Sequence, residues 1–595
     1  MSLVEVSLGA LLHDVGKFMQ RAHSGQECLS EQSLRMMEQI CPVRSGRSSH
    51  DHVLFTNEFV SGLSFWPDGL RPAEVANLAA FHHRPDTPEQ NLIAEADRLS
   101  SGMDRREPEE SGGARLRRVR MRSVAAGIAL EGGAGVQAAL NLGRLRPEVS
   151  FPDVLTGEPA AWDQEDLTGQ YRKLWDGFVQ EWKENQCPDP VGFVNRAAST
   201  MERYFWCVPS ATNAFPDISL YDHSATTAAI AGCLFEAGGA ASPFLLAAGD
   251  LTGIQGYVYG LRHGAGGLAR RLRARSFDVA AWSEAVSLAI LAKLGLPMVH
   301  RIVYAGGKFH LLLPNTEQAR SALVQTRAEA ASWLFNRSGG QLGLSLAWME
   351  ADAEGLKNFS RTMTLLHARL RDARDQPGRD ALIVDGRWNE ARFALPPLEV
   401  SGEEQACPCC RLRVAEVIEE ATKEGEEPKK VCSVCHEDGQ RGRLLPKTRY
   451  VAFGDAGAAA WAAPVGSYGL AASPAKCAPG SRMIVDMDGQ GQAPGRLPVV
   501  GGWRARRVPT DPSGDVKEFE SLAKVSQGRL GYLKMDVDNL GYLMAHGLRG
   551  EDADRSSISR VATLSRTLEL FFSGYLESLL RAEYQDIYLV YSGGD

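Results

Sequence analysis

The stretch GDLTGIQGY at residues 249–257, followed by YAGGKF at 304–309, returns near the end of the chain as MDVDNLGY at 535–542 followed by YSGGD at 591–595. Asp250 precedes Gly306 by 56 positions, and Asp536 precedes Gly593 by 57. An acidic residue ahead of Gly-Tyr, then a Tyr-x-Gly-Gly turn at matched separation, reads as one α/β unit used twice. In the first copy, strand-like runs at Ile302–Ala305 and His310–Leu313 alternate with helical ones. In the second, the alternation in GYLKMDVD (531–538) predicts a strand with Leu533, Met535 and Val537 on one face and Asp536 and Asp538 on the other. The apolar run IYLVYSGGD (587–595) predicts a hairpin strand that sets Asp595 beside Asp536, a carboxylate pair suited to holding Mg²⁺ between triphosphate oxygens. In the first copy Lys308 follows the glycines; a cation cannot ligate a metal, so that copy is expected to be catalytically degenerate.

Outward from the repeat, the 595-residue chain is too long for one core. It divides into a helical region at 1–105, connecting structure at 106–215, the first α/β unit at 216–400, a cysteine-rich insert at 401–445 and the second unit at 446–595. The apolar fraction of 44% and charged fraction of 23% are those of an ordinary globular protein. A net charge of −8 argues against a uniformly basic nucleic-acid binder, so any such contact is regional. The absence of a spanning apolar run and of a cleavable leader predicts a cytoplasmic protein with no membrane partner.

In the helical region, Leu11, Leu12, Val15, Phe18, Met19 and Ala22 recur at helical spacing, and His13, Asp14, Lys17 and Arg21 fall on the opposite arc of the same predicted helix. Neighbouring imidazole and carboxylate groups bind one or two metal ions when later ligands complete the shell and leave a site open for water. His52, His83 and Asp97 are the candidates, with His82 either a neighbouring ligand or a core histidine behind Val75, Leu78 and Ala79.

Five of the eleven cysteines lie within 407–435. Cys407-x-x-Cys410 and Cys432-x-x-Cys435 form two knuckles suited to a closed, structural, tetrahedral zinc site, with Cys409 and His436 as alternative ligands. Two basic runs remain, RLRRVRMR at 115–122 and RRLRARS at 270–276. Arg270, Arg271, Arg273 and Arg275 are candidate nucleic-acid contacts, because clustered guanidinium groups make charge-assisted bonds to phosphate.

Taken together, LLHDVGK, the His52-x6-Phe59 spacing, AFHHRP, ADRLSSGMDR, PDISLYDHS, GDLTGIQGYVYG, LRARSF, the CxxC pair, LPKTRYV, KMDVDNLG and TLSRTLELFF resemble, over nearly the whole chain, the large subunit of type III CRISPR effector complexes, most closely subtype III-A. The resemblance implies an α+β multidomain fold: an all-α HD nuclease domain, two ferredoxin-like palm (nucleotidyl cyclase/polymerase-like) domains and a zinc-ribbon-like insert built on four cysteines. It implies two target-RNA-activated activities, cleavage of single-stranded DNA at the HD domain and joining of ATP into cyclic oligoadenylate at the second palm. Carried over, His13 and Asp14 become catalytic metal ligands with His52, His82, His83 and Asp97, and the metal is Mn, Ni or Co. Asp536 and Asp595 become catalytic ligands of Mg or Mn with ATP, and Asp538, Gly593, Gly594, Ser565 and Arg566 bind nucleotide. The implied partners are guide CRISPR RNA, target RNA, single-stranded DNA, ATP, the subunit holding the guide 5′ tag and the small helical subunit. The family motif is Gly-Gly-Asp-Asp, whereas this sequence stops at Asp595 within it. The expectation is a fragment or a naturally shortened protein whose palm is impaired. Two rivals stand beside this reading, an HD phosphohydrolase joined to a GGDEF-like signalling cyclase and a non-catalytic RNA-binding scaffold.

Overall fold

A computed structural model describes the chain except residues 45–46, 103–114, 129–136, 147–153, 157–161, 213–214, 263–265, 385, 394–404, 421–427, 455–456, 458–459, 492–494, 513–515, 549–555 and 593–595. The N-terminal module is helical: α1 (Leu3–Leu12), α2 (Val15–Ala22), α3 (His52–Ser61), α4 (Pro72–Ala80) and α5 (Pro88–Ser101). The single helix expected through His13 and Asp14 is broken there, because Asp14 leaves helical geometry and serves as the cap of α2. The break turns both side chains inward, where they are fully buried.

Helices α6 (Thr168–Trp182) and α7 (Pro190–Phe205), from the connecting region, pack on α2 and α3. Their aromatic rings make the seam. Phe18 meets Trp175 and Phe205 edge to face at 5.3 and 5.0 Å, and Phe59 meets Trp175 and Trp182 at 5.5 and 5.4 Å. Such pairs add roughly 0.5–1.5 kcal/mol each beyond area burial. Helix α8 (Leu220–Ala237), capped by the Ser219 hydroxyl, then runs against α1 and α5 and completes the helical layer.

The first repeat folds as β1 (Phe244–Thr252), α9 (Leu268–Lys293), β2 (Arg301–Ala305), β3 (Lys308–Pro314), α10 (Glu317–Ser338) and β4 (Gly343–Ala351), with α11 (Phe359–Arg374) behind. Its strand order is β2-β3-β1-β4, antiparallel throughout, which is the ferredoxin-like arrangement. Strand β1 is buried on both faces. Phe244, Leu246 and Ala248 point into the core shared with the N-terminal helices, and Leu245, Ala247 and Leu251 into the core shared with α9 and α10.

The Cys-rich insert carries a short hairpin, Val417–Glu419 with Lys429–Val431, and α12 (Ser433–Leu444). A second sheet follows: β5 (Tyr450–Gly454), β6 (Trp461–Ala462), β7 (Ser467–Ala471), β8 (Ser481–Asp486) and β9 (Val499–Gly501), in the order β6-β7-β5-β8-β9. The second repeat lies beyond it and contributes α13 (Ile558–Glu569). Its two expected strands are not formed among the described residues. Gly531–Val537 and Tyr588–Ser592 have extended or irregular backbone and enter no ladder; Leu589 N–H donates to the Arg507 carbonyl at 3.0 Å outside any strand pair, and an alternating segment with no strand paired along it has nothing to fix its pleat. Leu533 and Met535 are accordingly 81% and 66% exposed, and Asp536 and Asp538 face solvent. Among the described residues no helix is long and apolar enough to cross a membrane.

Candidate functional site

Gly16 is what lets α2 approach α3. A Cβ there would lie 2.0 Å from the His52 carbonyl oxygen and 2.5 Å from the Thr56 amide nitrogen. The contact is stitched by the Gly16 N–H donating to Thr56 Oγ1 (3.1 Å) and the Thr56 hydroxyl donating to the His13 carbonyl (2.9 Å). This close crossing carries the His13-Asp14 corner to the first residue of α3. His52 Nε2 then sits 3.2 Å from Asp14 Oδ1.

Asp14 is the hub. Its carboxylate has His13 Nε2 at 3.3 Å, His223 Nε2 at 3.4 Å and His82 Nε2 at 3.8 Å, and Lys17 closes on it from the partly exposed side. Asp97, on α5, receives His223 at 3.2 Å and His13 at 3.9 Å. His83 stands one step out, its Nε2 3.2 Å from that of His52, with the His50 ring 4.1 Å from its own. Three overlapping sets result, His13–Asp14–His82, His13–Asp97–His223 and His52–His82–His83, each with its ligand atoms within 4.8 Å of one another.

Burial strains Asp14 toward neutrality, yet Lys17 and His13 outweigh it and hold its carboxyl well below the ordinary range. Burial pushes His82 down to about 3, with His13 adding to the effect, and keeps His83 and His52 low as well. For His223 burial opposes protonation, but Asp14 and Asp97 prevail and raise it. The lowered imidazoles of His52, His82 and His83 beside an anionic Asp14 are in the protonation states a metal requires. His13 Nδ1 lies 2.7 Å from the Ala10 carbonyl and His82 Nδ1 2.9 Å from that of Ala79. These bonds place the Nδ1 protons and direct both Nε2 atoms inward, the orientation found in metal-ligating histidines. Beyond these close approaches to one another, His13 Nε2, His82 Nε2 and Asp14 Oδ1 are buried and make no well-formed hydrogen bond, which is costly for isolated polar atoms and natural for ligands of an ion. The residues present therefore fit a divalent metal.

The structure brings His13, Asp14, His52, His82 and Asp97 together, sets His83 one step out against His52, and adds His223 to the group. Its only trace in the sequence is the Asp-His pair of PDISLYDHS, 126 residues beyond Asp97.

In the insert, the sulfurs of Cys407, Cys410, Cys432 and Cys435 lie within 4.8 Å of one another, all buried, with Cys410 and Cys432 3.7 Å apart. Zinc–sulfur bonds of about 2.3 Å put tetrahedral sulfurs roughly 3.8 Å apart, so the set fits zinc. Cys409 stands outside this quartet, and His436 Nε2 is turned 2.8 Å from Gln440 Nε2.

The arginines of the basic run at 270–276, expected at a nucleic acid, are instead paired within the protein. Arg270 pairs with Glu419 at 2.9 Å, and Arg271 bonds Glu419 and the Cys435 carbonyl. Arg273 donates to the Gly442 carbonyl, and Arg275 pairs with Asp438 at 2.9 Å and donates to the Tyr257 carbonyl. All four guanidinium groups are turned into the molecule, where they bolt the Cys insert to α9, and none is presented to a nucleic-acid backbone. The run at 115–122 is likewise ion-paired, Arg120 with Glu165 and Arg122 with Asp163.

In the first repeat, Asp250 lies opposite Lys308 across the β1–β3 ladder and is ion-paired by Arg374. In the second, Gly593, Gly594 and Asp595 lie outside the described residues. What precedes them is placed: Tyr591 donates its hydroxyl to the Gly306 carbonyl at 3.4 Å, so the two Tyr-x-Gly-Gly segments meet. Gly306, Ser276, Arg506, Tyr591 and Ser592 line the cavity between them. Ser565 and Arg566, expected at nucleotide, are buried on α13, and the Arg566 guanidinium is spent on Asp222 at 2.7 Å.

The family model for Csm1 subunit domain B matches residues 243–377, and that for the Cas10/Cmr2 second palm domain matches 529–595. The single-strand-specific deoxyribonuclease Cas10/Csm1 (subtype III-A) of Thermococcus onnurineus is 27% identical, covering 99% of this chain and 75% of that protein. Its namesake from Mycobacterium tuberculosis is 24% identical, covering 100% and 77%. A solved Csm1–Csm4 subcomplex of the type III-A CRISPR-Csm interference complex superposes with a TM-score of 0.66 at 23% identity, covering 100% of this chain and 75% of that one. A Csm1–Csm4 cassette in complex with cA3 gives 0.65 at the same identity and covers 100% and 74%.

Proposed function

We infer function from one premise: over its full length the chain is a relative of the Cas10/Csm1 large subunits of type III CRISPR effector complexes, of the III-A kind. It acts as a single-strand-specific deoxyribonuclease and a cyclic oligoadenylate synthetase. The observation that carries the reading is the buried convergence of His13, Asp14, His52, His82, Asp97 and His223. Mn²⁺, Ni²⁺ or Co²⁺ suits this imidazole-rich set, and such an ion would polarise a phosphodiester and lower the pKa of a bound water.

The chain's own groups prepare that chemistry. Asp14 stays anionic under the influence of Lys17 and His13, and His82 stays neutral through burial. Lys17, a quarter exposed beside the buried carboxylate, offers its ammonium to a phosphate oxygen of an entering strand. The four-cysteine site, as zinc, staples the insert. At the palms, Asp536 with Asp595 would hold Mg²⁺ or Mn²⁺ with ATP, and the cavity between Gly306 and Tyr591 is where nucleotide would lie. Guide CRISPR RNA, target RNA, single-stranded DNA and the other type III subunits, including those holding the guide 5′ tag and the small helical subunit, are the partners.

The experiment is co-purification followed by activation. The account expects a short guide RNA to travel with the complex, and DNA degradation and ATP conversion to depend on complementary target RNA. Activity without any guide or target RNA would favour the HD phosphohydrolase joined to a GGDEF-like cyclase.

A further inference from the structure

Helix α13 belongs to the second repeat, yet its N-terminal half is sunk into the metal centre's supporting layer. Gly102, at the end of α5, permits the contact: a Cβ there would lie 2.8 Å from Ser557 Cβ. Two hydrogen-bonded branches leave the helix, and both end at the segment carrying His223. In one, the Ser559 hydroxyl donates to the Ser100 carbonyl at 2.7 Å, and Ser100 Oγ lies 3.1 Å from His223 Nδ1. In the other, the Thr563 hydroxyl donates to Asp222 at 2.8 Å and Arg566 clamps the same carboxylate from both Nε and the terminal nitrogen. Asp222 is also held by Ser219, which caps α8 through the Asp222 N–H. Every one of these side chains is buried.

His223 has no backbone carbonyl at Nδ1 of the kind that orients His13 and His82. Its partner there is a hydroxyl, and a hydroxyl can serve as acceptor for Nδ1–H because it passes its own proton on. Ser100 does so to the His223 carbonyl at 3.1 Å or to Thr226 Oγ1 at 2.7 Å. With Nδ1 committed to Ser100, Nε2 is the ring atom that faces Asp14 and Asp97 and the one whose proton a bound metal would replace.

We propose that Ser100 is the positioning residue for His223, and that docking of α13, through Ser559 on Ser100 and through Thr563 and Arg566 on Asp222, sets the competence of the nuclease metal centre. The inference rests on the reading that His223 ligates the metal. It makes part of the second palm a structural component of the nuclease site, so the two activities share one helix.

The test measures metal affinity in the intact chain, with the four-cysteine site loaded with zinc beforehand. Co²⁺ is titrated against a competing chelator while its visible spectrum is followed. Supporting partners of metal-bound histidines are worth 10–100-fold in affinity. Ser100→Ala is expected to weaken Co²⁺ binding by about that factor and to change the spectrum, with zinc content unchanged. Thr563→Val, which keeps the shape and removes the bond to Asp222, is expected to weaken it severalfold. In a His223→Ala background Ser100→Ala should cost nothing further, a non-additivity that a merely structural role would not produce. Wild-type affinity in Ser100→Ala, or full additivity with His223→Ala, overturns the inference alone. A wild type that takes up no Co²⁺ beyond the zinc site overturns the metal centre and the inference with it.

Discussion

Replacing Gly16 by alanine adds one methyl group at the point where α2 crosses α3, and the structure sets the size of the insult. The new Cβ would lie 2.0 Å from the His52 carbonyl oxygen, whereas ordinary contact begins at 3.4 Å, so the two helices must part by about 1.4 Å. The obstacles are backbone atoms of α3 and the Thr56 hydroxyl that bridges Gly16 to His13, so no flexible side chain can swing away. Overpacking of this kind costs about 1–3 kcal/mol of stability. The larger effect should be on chemistry, because His13 and Asp14 ride on one side of the crossing and His52 on the other. A misplacement of about 1 Å between reacting groups can cost on the order of 100-fold in rate. The assay is target-RNA-activated cleavage of labelled single-stranded DNA, with thermal melting and zinc content measured on the same preparation. Nuclease activity should fall by roughly 100-fold in protein that still folds and retains zinc. Wild-type cleavage by a folded Gly16→Ala protein would refute the argument that this crossing assembles the site.

Further outcomes follow from other parts of the molecule. Cys407→Ser with Cys432→Ser should remove about one zinc per chain and lower the melting temperature, since a closed thiolate site contributes folding free energy directly; unchanged zinc stoichiometry would contradict the assignment. Asp536→Ala should abolish oligoadenylate formation in the assembled complex, whereas Lys308→Ala should at most weaken nucleotide binding; labelled ATP products resolved side by side decide it. Burial holds His300 down at about 4 and His310 at about 3 in the first palm. The unfolded chain therefore binds their protons first, so stability should be fully present above about pH 6.5 and be lost as pH falls from there toward 4. His300→Gln should flatten that slope in denaturant titrations at stepped pH, and an unchanged slope would contradict it.

The candidate metal site is largely legible because the first residues that converge on it are close in sequence and unlike their surroundings. An His-Asp pair in an apolar helix, and His82-His83 ahead of a proline, have few other uses. His223 was not legible, since its role depends on α8 packing against α1 and α5, and no spacing encodes a contact across 126 residues. The inward course of the arginines at 270–275 is not legible for a related reason. Composition shows the cations, but their partners Glu419, Asp438 and the Gly442 carbonyl come from an insert more than 140 residues away. In the first palm only the β2–β3 hairpin pairs strands adjacent in sequence; β1 pairs with β3 and β4 far along the chain, and its unbroken apolar run marks it as the strand buried between them. The alternation of Gly531–Asp538 is equally clear as a pattern, but a pattern becomes a strand only when a neighbour accepts its hydrogen bonds.

The central claim is that the buried His13-Asp14 corner and the residues converging on it form the site that cuts single-stranded DNA. Its most direct test is the His13→Ala, Asp14→Ala protein assembled with guide RNA, activated by target RNA and supplied with Mn²⁺, Ni²⁺ or Co²⁺ and labelled single-stranded DNA. The account predicts that cleavage disappears while target-RNA binding and zinc content stay as in the wild type. DNA degradation at the wild-type rate by that double variant would contradict it and place the nuclease elsewhere in the complex.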